Sequence, residues 1–153
     1  LERKLTALVL RPFELRDIED VLAIQEASPE IAQWSLWDFD RVAHGEMAGW
    51  VTESERGEIT GFIVARHIAK DLEILNFAVR PAARRKGIGA ALLGEALRWG
   101  SAFSAGQAFL EVRASNLAAL RFYEQHRFHV TGRRPRYYTA PIEDALLLSA
   151  QIK

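Results

Sequence analysis

A chain of 153 residues with 49% hydrophobic content suffices for one well-buried domain and falls short of two ordinary ones, so residues 1–153 are expected to form a single domain. Its twenty basic and twenty acidic residues cancel, which argues against general affinity for nucleic acid or an anionic membrane and makes any electrostatic recognition local. The absence of cysteine excludes a thiol nucleophile, a disulfide scaffold and thiolate metal ligation together.

In chain order, Leu5 to Leu10 reads as a first strand ended by Pro12. Asp17 is placed to N-cap a helix whose apolar face is Ile18, Val21, Leu22 and Ile24, and Ser28-Pro29 closes it. Trp34 to Gly45 is less regular, an aromatic-rich helical or looped patch that reads as core packing or as one wall of an acceptor groove. Trp50 to Glu53, Ile59 to Ile68 and Leu72 to Arg80 are three successive strands joined by short turns. Gly87 to Phe103 is a helix, Ala108 to Ala114 a strand, Asn116 to His126 a second helix, and Phe128 to Thr131 with Ala145 to Ile152 the closing strands. The passage from Leu72 to Ala114 requires a right-handed crossover and a parallel strand pair inside an otherwise antiparallel sheet. The expected fold is therefore a mixed α/β sandwich.

The most informative stretch runs from Leu75 to Leu93, where an apolar strand ending in Phe77-Ala78-Val79 passes through Pro81 into the turn Arg84-Arg85-Lys86-Gly87-Ile88-Gly89-Ala90 and then a helix. The first amides of a helix have no helical partner, and the dipole makes that end positive. With three basic side chains added, the turn reads as a cradle for a multiply charged phosphate. Gly87 and Gly89 keep side chains out of the way of the amides. A P-loop would need Ser or Thr after Gly-Lys, and here Lys86 precedes Gly87, so a nucleoside triphosphatase is not expected. The spacing of a dinucleotide fingerprint also fails.

Transfer of an acyl group from a thioester to an amine needs a base, an oxyanion donor and an acid for the departing thiolate. Glu111 stands inside an otherwise apolar strand, which requires a charge partner, access to water through a cleft, or a raised pKa. The plainer reading is a solvent-face carboxylate paired with Arg113. Asn116 reads first as a helix N-cap. Tyr123 follows seven residues later on the same helix face, and its residue type suits either a core aromatic or a proton donor. The four scattered histidines lack metal-ligand spacing, so no metal is expected. No apolar run approaches the roughly 20 residues of a membrane span, and the first residues lack an apolar signal core; a cytoplasmic protein is expected.

The strand ending in Ala-Val followed by Arg-x-x-Gly-x-Gly resembles the GNAT superfamily of acyl-coenzyme A transferases, and Leu110 to Asn116, Phe122-Tyr123-Glu124, Tyr137-Tyr138 and Glu143-Asp144-Ala145 are similar to its ribosomal-protein-alanine acetyltransferases. The resemblance is dense from about Leu72 to Ala145 and thin before it. It implies a mostly antiparallel sheet with a central splayed parallel strand pair, flanked by helices. It implies acetyl-CoA as co-substrate, contacted by Phe77, Ala78, Val79, Arg84 to Ala90 and Asn116, with Glu111 as proton acceptor and Tyr123 as proton donor. The acceptor implied is the N-terminal amine of a small-subunit ribosomal protein, with Tyr137 and Tyr138 over the peptide. Glu73 resembles the base position of lysine-directed relatives and is a second carboxylate for the acceptor side. Lysine, polyamine or antibiotic acetylation, and a non-catalytic coenzyme-sensing module, are the rival readings. One departure is Arg127, where the family usually has glycine before the Phe that follows the Tyr-bearing helix.

Overall fold

The computed structural model describes residues 8–152. Among them are strands β1 (Val9–Pro12), β2 (Ala48–Glu53), β3 (Ile59–Ile68), β4 (Asp71–Val79), β5 (Gln107–Arg113), β6 (His129–Thr139) and β7 (Ile142–Gln151), and helices α1 (Ile18–Glu26), α2 (Leu36–Ala43), α3 (Ile88–Ala102) and α4 (Leu117–Gln125). The strands lie in the order β1-β2-β3-β4-β5-β7-β6. β4 and β5 run parallel, with Leu72 opposite Ala108 and Glu73 opposite Phe109, and α3 supplies the crossover between them. β1/β2, β5/β7 and β6/β7 are antiparallel. The mixed, mostly antiparallel sheet with a parallel pair is the fold expected from the sequence.

Among the described residues the first strand is Val9–Pro12, running two residues past the expected Leu10 through Pro12, which closes an edge strand where its missing N–H costs nothing. Residues 5–7 of the expected strand lie outside the described residues. β6 extends eight residues past the expected Thr131, to Thr139. Its residues are almost all exposed, so no alternation of apolar and polar side chains marked it in the sequence.

The chain groups into two compact units, one made of the chain up to Val64 with Asn76–Ala96, the other of Ala65–Leu75 with the chain from Leu97 onward. In the first, Phe39 is fully buried and anchors an aromatic core with ring centroids 5.4 Å from Trp34, 5.7 Å from Phe62 and 6.0 Å from Phe13. α2 begins at Ser35, whose hydroxyl accepts the Asp38 N–H while the Asp38 carboxylate accepts the Ser35 N–H, a capping box. Asp17, expected to cap α1, makes no such bond. Its buried carboxylate instead accepts both terminal nitrogens of Arg11 at 2.8 Å and the Glu14 N–H at 2.8 Å. That ion pair, with Glu53 on Arg11 Nε, raises the guanidinium pKa further and takes the oxygen away from capping. Gly61 lets α3 lie close on β3, because a Cβ there would stand 2.9 Å from Leu92 and 3.2 Å from Ile88.

The second unit is centred on Leu72, Leu110, Val112, Tyr123, Phe128, Ala145 and Leu148. Asn116 caps α4 by accepting the Ala119 N–H at 3.2 Å. At the other end Arg127 takes φ 69°, the left-handed backbone that glycine usually supplies. The Phe128 N–H then bonds the Tyr123 carbonyl at 3.0 Å and the Arg127 N–H the Glu124 carbonyl at 3.1 Å, with the Phe128 and Tyr123 rings 5.4 Å apart. This is a Schellman ending built without glycine.

Candidate active site

In the first unit, alternation along β4 buries Asn76 and Ala78 and leaves Phe77 and Val79 half-buried. The buried Asn76 amide is fully occupied. Its Nδ2 donates to Gln25 Oε1 (3.1 Å) and the Ala32 carbonyl (3.4 Å), and its Oδ1 accepts the Phe77 N–H (3.0 Å). The N–H of Phe77, a residue implied to contact the coenzyme, is therefore bonded to its neighbour's side chain. Gln25 in turn brackets Trp34, accepting its N–H at 2.8 Å and donating to its carbonyl at 2.7 Å. Asn76 and Gln25 were not singled out in the sequence, though a lone amide in an apolar strand is the same signal that marks Glu111.

Beyond β4, a 3-10 turn over Pro81–Ala83 leads into the basic turn. Arg84 is drawn back onto the protein: Nε donates to the Val79 carbonyl (3.1 Å), Nη2 to Ser28 Oγ (3.1 Å), and Glu30 lies at 3.9 Å. All three basic residues are exposed, and Arg84 shapes the turn through these contacts. Arg85 (φ 65°) and Gly87 (φ 82°) are both left-handed and swing the chain into α3. The first helical bond from Gly87 is accepted from Ala91 at 3.0 Å, so the amides of Ile88, Gly89 and Ala90 precede any i→i−4 partner. A Cβ built on Gly87 meets nothing within 4 Å, so the face of the turn is open. Ile88 is buried and contributes its amide, its side chain packing at Gly61. This donor set suits a pyrophosphate: amides at the positive end of a fifteen-residue helix with two exposed cations beside them.

In the second unit, Glu73 and Phe109 are opposite in the β4/β5 register, and Phe109 and Glu111 share a face of β5, so both carboxylates lie on one side of the sheet. Arg66 holds Glu73 at 2.7–2.8 Å. Glu111 has a different partner from the expected Arg113. Arg134 Nε stands 2.6 Å from Oε2, and the Tyr137 hydroxyl donates to Oε1 at 3.4 Å. The Arg134 N–H points off the line to Oε2, and that buried oxygen accepts no hydrogen bond among the described residues. Arg113 is engaged by Glu143 and the carbonyls of Ala140 and Pro141 and lies 4.2 Å from the Tyr138 ring. The negative charge of Glu111, then burial, raises the Tyr137 pKa; burial, then Glu111, pushes Tyr138 up to about 12. Tyr123 is 7% exposed between Phe122 and Phe128, and burial raises its pKa well above the ordinary phenol range. The phenol is thus a hydrogen-bond donor at every physiological pH. Asn116 spends its Oδ1 on the cap.

Residues 11–128 match the Acetyltransferase (GNAT) family. The chain belongs to the GNAT acetyltransferase family. A Bacillus subtilis protein provisionally named a ribosomal protein bS18-alanine N-acetyltransferase is 29% identical over 144 residues, 94% of this chain and 95% of that one. An N-alpha-acetyltransferase of Sulfurisphaera tokodaii is 29% identical over 157 residues, covering 94% and 92%. The crystal structure of the ribosomal-protein-S18-alanine N-acetyltransferase from Escherichia coli superposes with a TM-score of 0.82 at 25% identity, covering 96% of this chain and 95% of that one. The chain is an acetyltransferase, and acetyl-CoA is the acyl donor that its family uses. Among the described residues no helix is long and apolar enough to cross a membrane, and no group of three or more His, Asp or Glu side chains is arranged to hold a metal.

Proposed function

We propose that this acetyltransferase transfers the acetyl group of acetyl-CoA to the N-terminal α-amine of a protein, a small-subunit ribosomal protein with alanine first, in the cytoplasm. The observation that carries the reading is Glu111, a carboxylate on β5 with one buried oxygen that accepts no hydrogen bond among the described residues, ion-paired with Arg134 and bordered by Tyr137. The names of the relatives in Bacillus subtilis and Escherichia coli point to the same acceptor.

In this reading the exposed amides of Ile88, Gly89 and Ala90, with Arg85 and Lys86, hold the pyrophosphate, and the strand end at Phe77 to Val79 lines the pantetheine. Arg84 keeps the turn in shape, and the Asn116 Nδ2 offers one further contact. Glu111 takes a proton from the acceptor ammonium, whose pKa near 8 asks little of a carboxylate base. The neutral amine nitrogen then bonds to the thioester carbonyl carbon and the C–S bond breaks. Tyr123 gives its hydroxyl proton to the departing sulfur, which leaves as the thiol, and the proton shed by the acylated nitrogen returns to the Tyr123 oxygen. No acyl-enzyme forms, since the chain has no cysteine. Tyr137 and Tyr138 close over the peptide start and leave room for a small first side chain, and Glu73, held by Arg66, borders the same face. Glu111→Gln lowers the rate on the order of 10²- to 10⁴-fold at neutral pH and recovers partly in alkaline buffer, where the amine is already neutral. Tyr123→Phe is not rescued. If Glu73→Gln abolishes turnover while Glu111→Gln does not, the base has been misassigned.

A further inference from the structure

Arg113 of β5, Ala145 of β7 and Arg134 of β6 form one lateral row of the sheet, and Glu111, Leu147 and Gly132 form the next row on the same face, two residues along. Arg134 therefore reaches back across β7, and the two strand spacings between them, about 10 Å, are bridged by the arginine and glutamate side chains together. It ends with Nε 2.6 Å from Glu111 Oε2. A base that collects a proton from an ammonium needs that nitrogen at about 2.6–3.2 Å, so the cation of Arg134 fills the space that the acceptor cation requires. We infer that Arg134 occupies the seat of the acceptor amine on Glu111, and that the acceptor binds by displacing it. The inference rests on Glu111 being the base.

The hold is loose by construction. Arg134 is 58% exposed at the side chain, its N–H misses the line to Oε2, and an ion pair of that exposure contributes at most about 1 kcal/mol. β6 is an edge strand, and its register with β7 shifts between Arg134 and Tyr138, where Arg136 is left-handed at φ 54°. The bulged stretch is pinned by Asp144, which accepts the Arg136 N–H and Arg133 Nε, so Arg134 can leave without the strand unpairing. Other cations nearby are engaged elsewhere, Arg66 by Glu73 and Arg113 by Glu143. The Tyr137 ring, 5.7 Å from the Arg134 guanidinium, gives the displaced side chain an aromatic face. A primary ammonium, smaller and free to aim a proton at Oε2, makes the aligned bond that the guanidinium does not. Arg134 thereby sets acceptor affinity and disfavours weakly bound amines.

The test uses methylguanidine as a probe for the vacated seat. By calorimetry or ligand-observed NMR it binds Arg134→Ala up to about fivefold more tightly than the native enzyme, the factor equivalent to about 1 kcal/mol, and fails to bind Arg134→Ala combined with Glu111→Gln. Equal binding to all three proteins, or to none, overturns the inference, whatever the acceptor proves to be. In kinetics, Arg134→Ala lowers the KM for an Ala-initiated peptide about three- to fivefold, Arg134→Lys stays near native, and methylguanidine competes with the peptide only in Arg134→Ala. A raised KM in Arg134→Ala, with Glu111→Gln inactive, refutes the role of Arg134 and leaves the base assignment standing. Full turnover in Glu111→Gln refutes the base assignment instead.

Discussion

Replacing Arg127 by glycine is expected to stabilise the protein. Arg127 sits at φ 69° after the last turn of α4, where an L-residue with a Cβ loses on the order of 1–2 kcal/mol relative to glycine. Glycine returns part of that gain, about 0.4–1 kcal/mol, through the greater freedom of the unfolded chain. The Arg127 side chain is exposed, and the two bonds that close the helix use backbone atoms, so little else is lost. The net expectation is a gain of about 0.5–1 kcal/mol, or roughly 1–4 °C in Tm for a chain of this size. Urea unfolding followed by circular dichroism reads the change, with Arg127→Ala as control: alanine keeps the strained backbone and stays within about 0.5 kcal/mol of native. Catalysis should be unaffected. A destabilised Arg127→Gly, or an Arg127→Ala that gains as much as Arg127→Gly, would refute the argument that backbone strain at this position is relieved.

Gly87→Val introduces a Cβ at φ 82° and stands a branched side chain on the open face of the turn, so acetyl-CoA affinity measured by calorimetry falls on the order of tenfold or more while α3 remains folded. Arg84→Ala removes the grip on Val79 and Ser28 and weakens coenzyme binding indirectly; Arg84→Lys, which cannot reproduce the two-pronged contact, recovers little of it. Glu143 and Asp144 both have lowered pKa values, Glu143 chiefly from the hydrogen bond of Ser115 and Asp144 chiefly from the Arg136 N–H. A lowered folded pKa means that the unfolded chain binds the proton first. Their contribution is present above the ordinary values of 4.5 and 3.8 and fades as pH falls through the lowered range. Urea midpoints taken across that acid window should fall less steeply in Glu143→Gln with Asp144→Asn than in the native protein, and an unchanged slope would contradict this.

The shape of the basic turn ahead of α3 was legible because it is set locally. Strand, Pro81, basic triplet and paired glycines are contiguous, and the turn they form needs only backbone amides and a helix start. Asn116 as a cap was legible for the same reason, whereas Arg127 stood out only as a departure from glycine and its left-handed backbone came from the fold. What escaped was long-range. Asp17 has the right residue type for a cap, but Arg11, itself held from the other side by the distant Glu53, claims its carboxylate in the fold. Arg84 looks like a phosphate ligand until Ser28 and Glu30 turn out to be within its reach. The pairing of Glu111 with Arg134 rather than Arg113 depends on β7 lying between β5 and β6, which no periodicity encodes. β6 itself was underestimated because an exposed edge strand carrying Arg133, Arg134 and Arg136 shows none of the alternation that half-buried strands display.

The central claim is the acceptor, and label transfer tests it most directly. The enzyme is incubated with acetyl-labelled acetyl-CoA and, separately, an Ala-initiated ribosomal peptide, its N-terminally blocked form, a lysine-containing peptide with a blocked N-terminus, and spermidine. Label should enter the free Ala peptide at its α-amine and leave the other three at background. Label entering the blocked peptide as readily as the free one, or preferring lysine or spermidine, would contradict N-terminal acetylation, and no label in any acceptor would favour a coenzyme-binding module or a small-molecule acceptor outside the set.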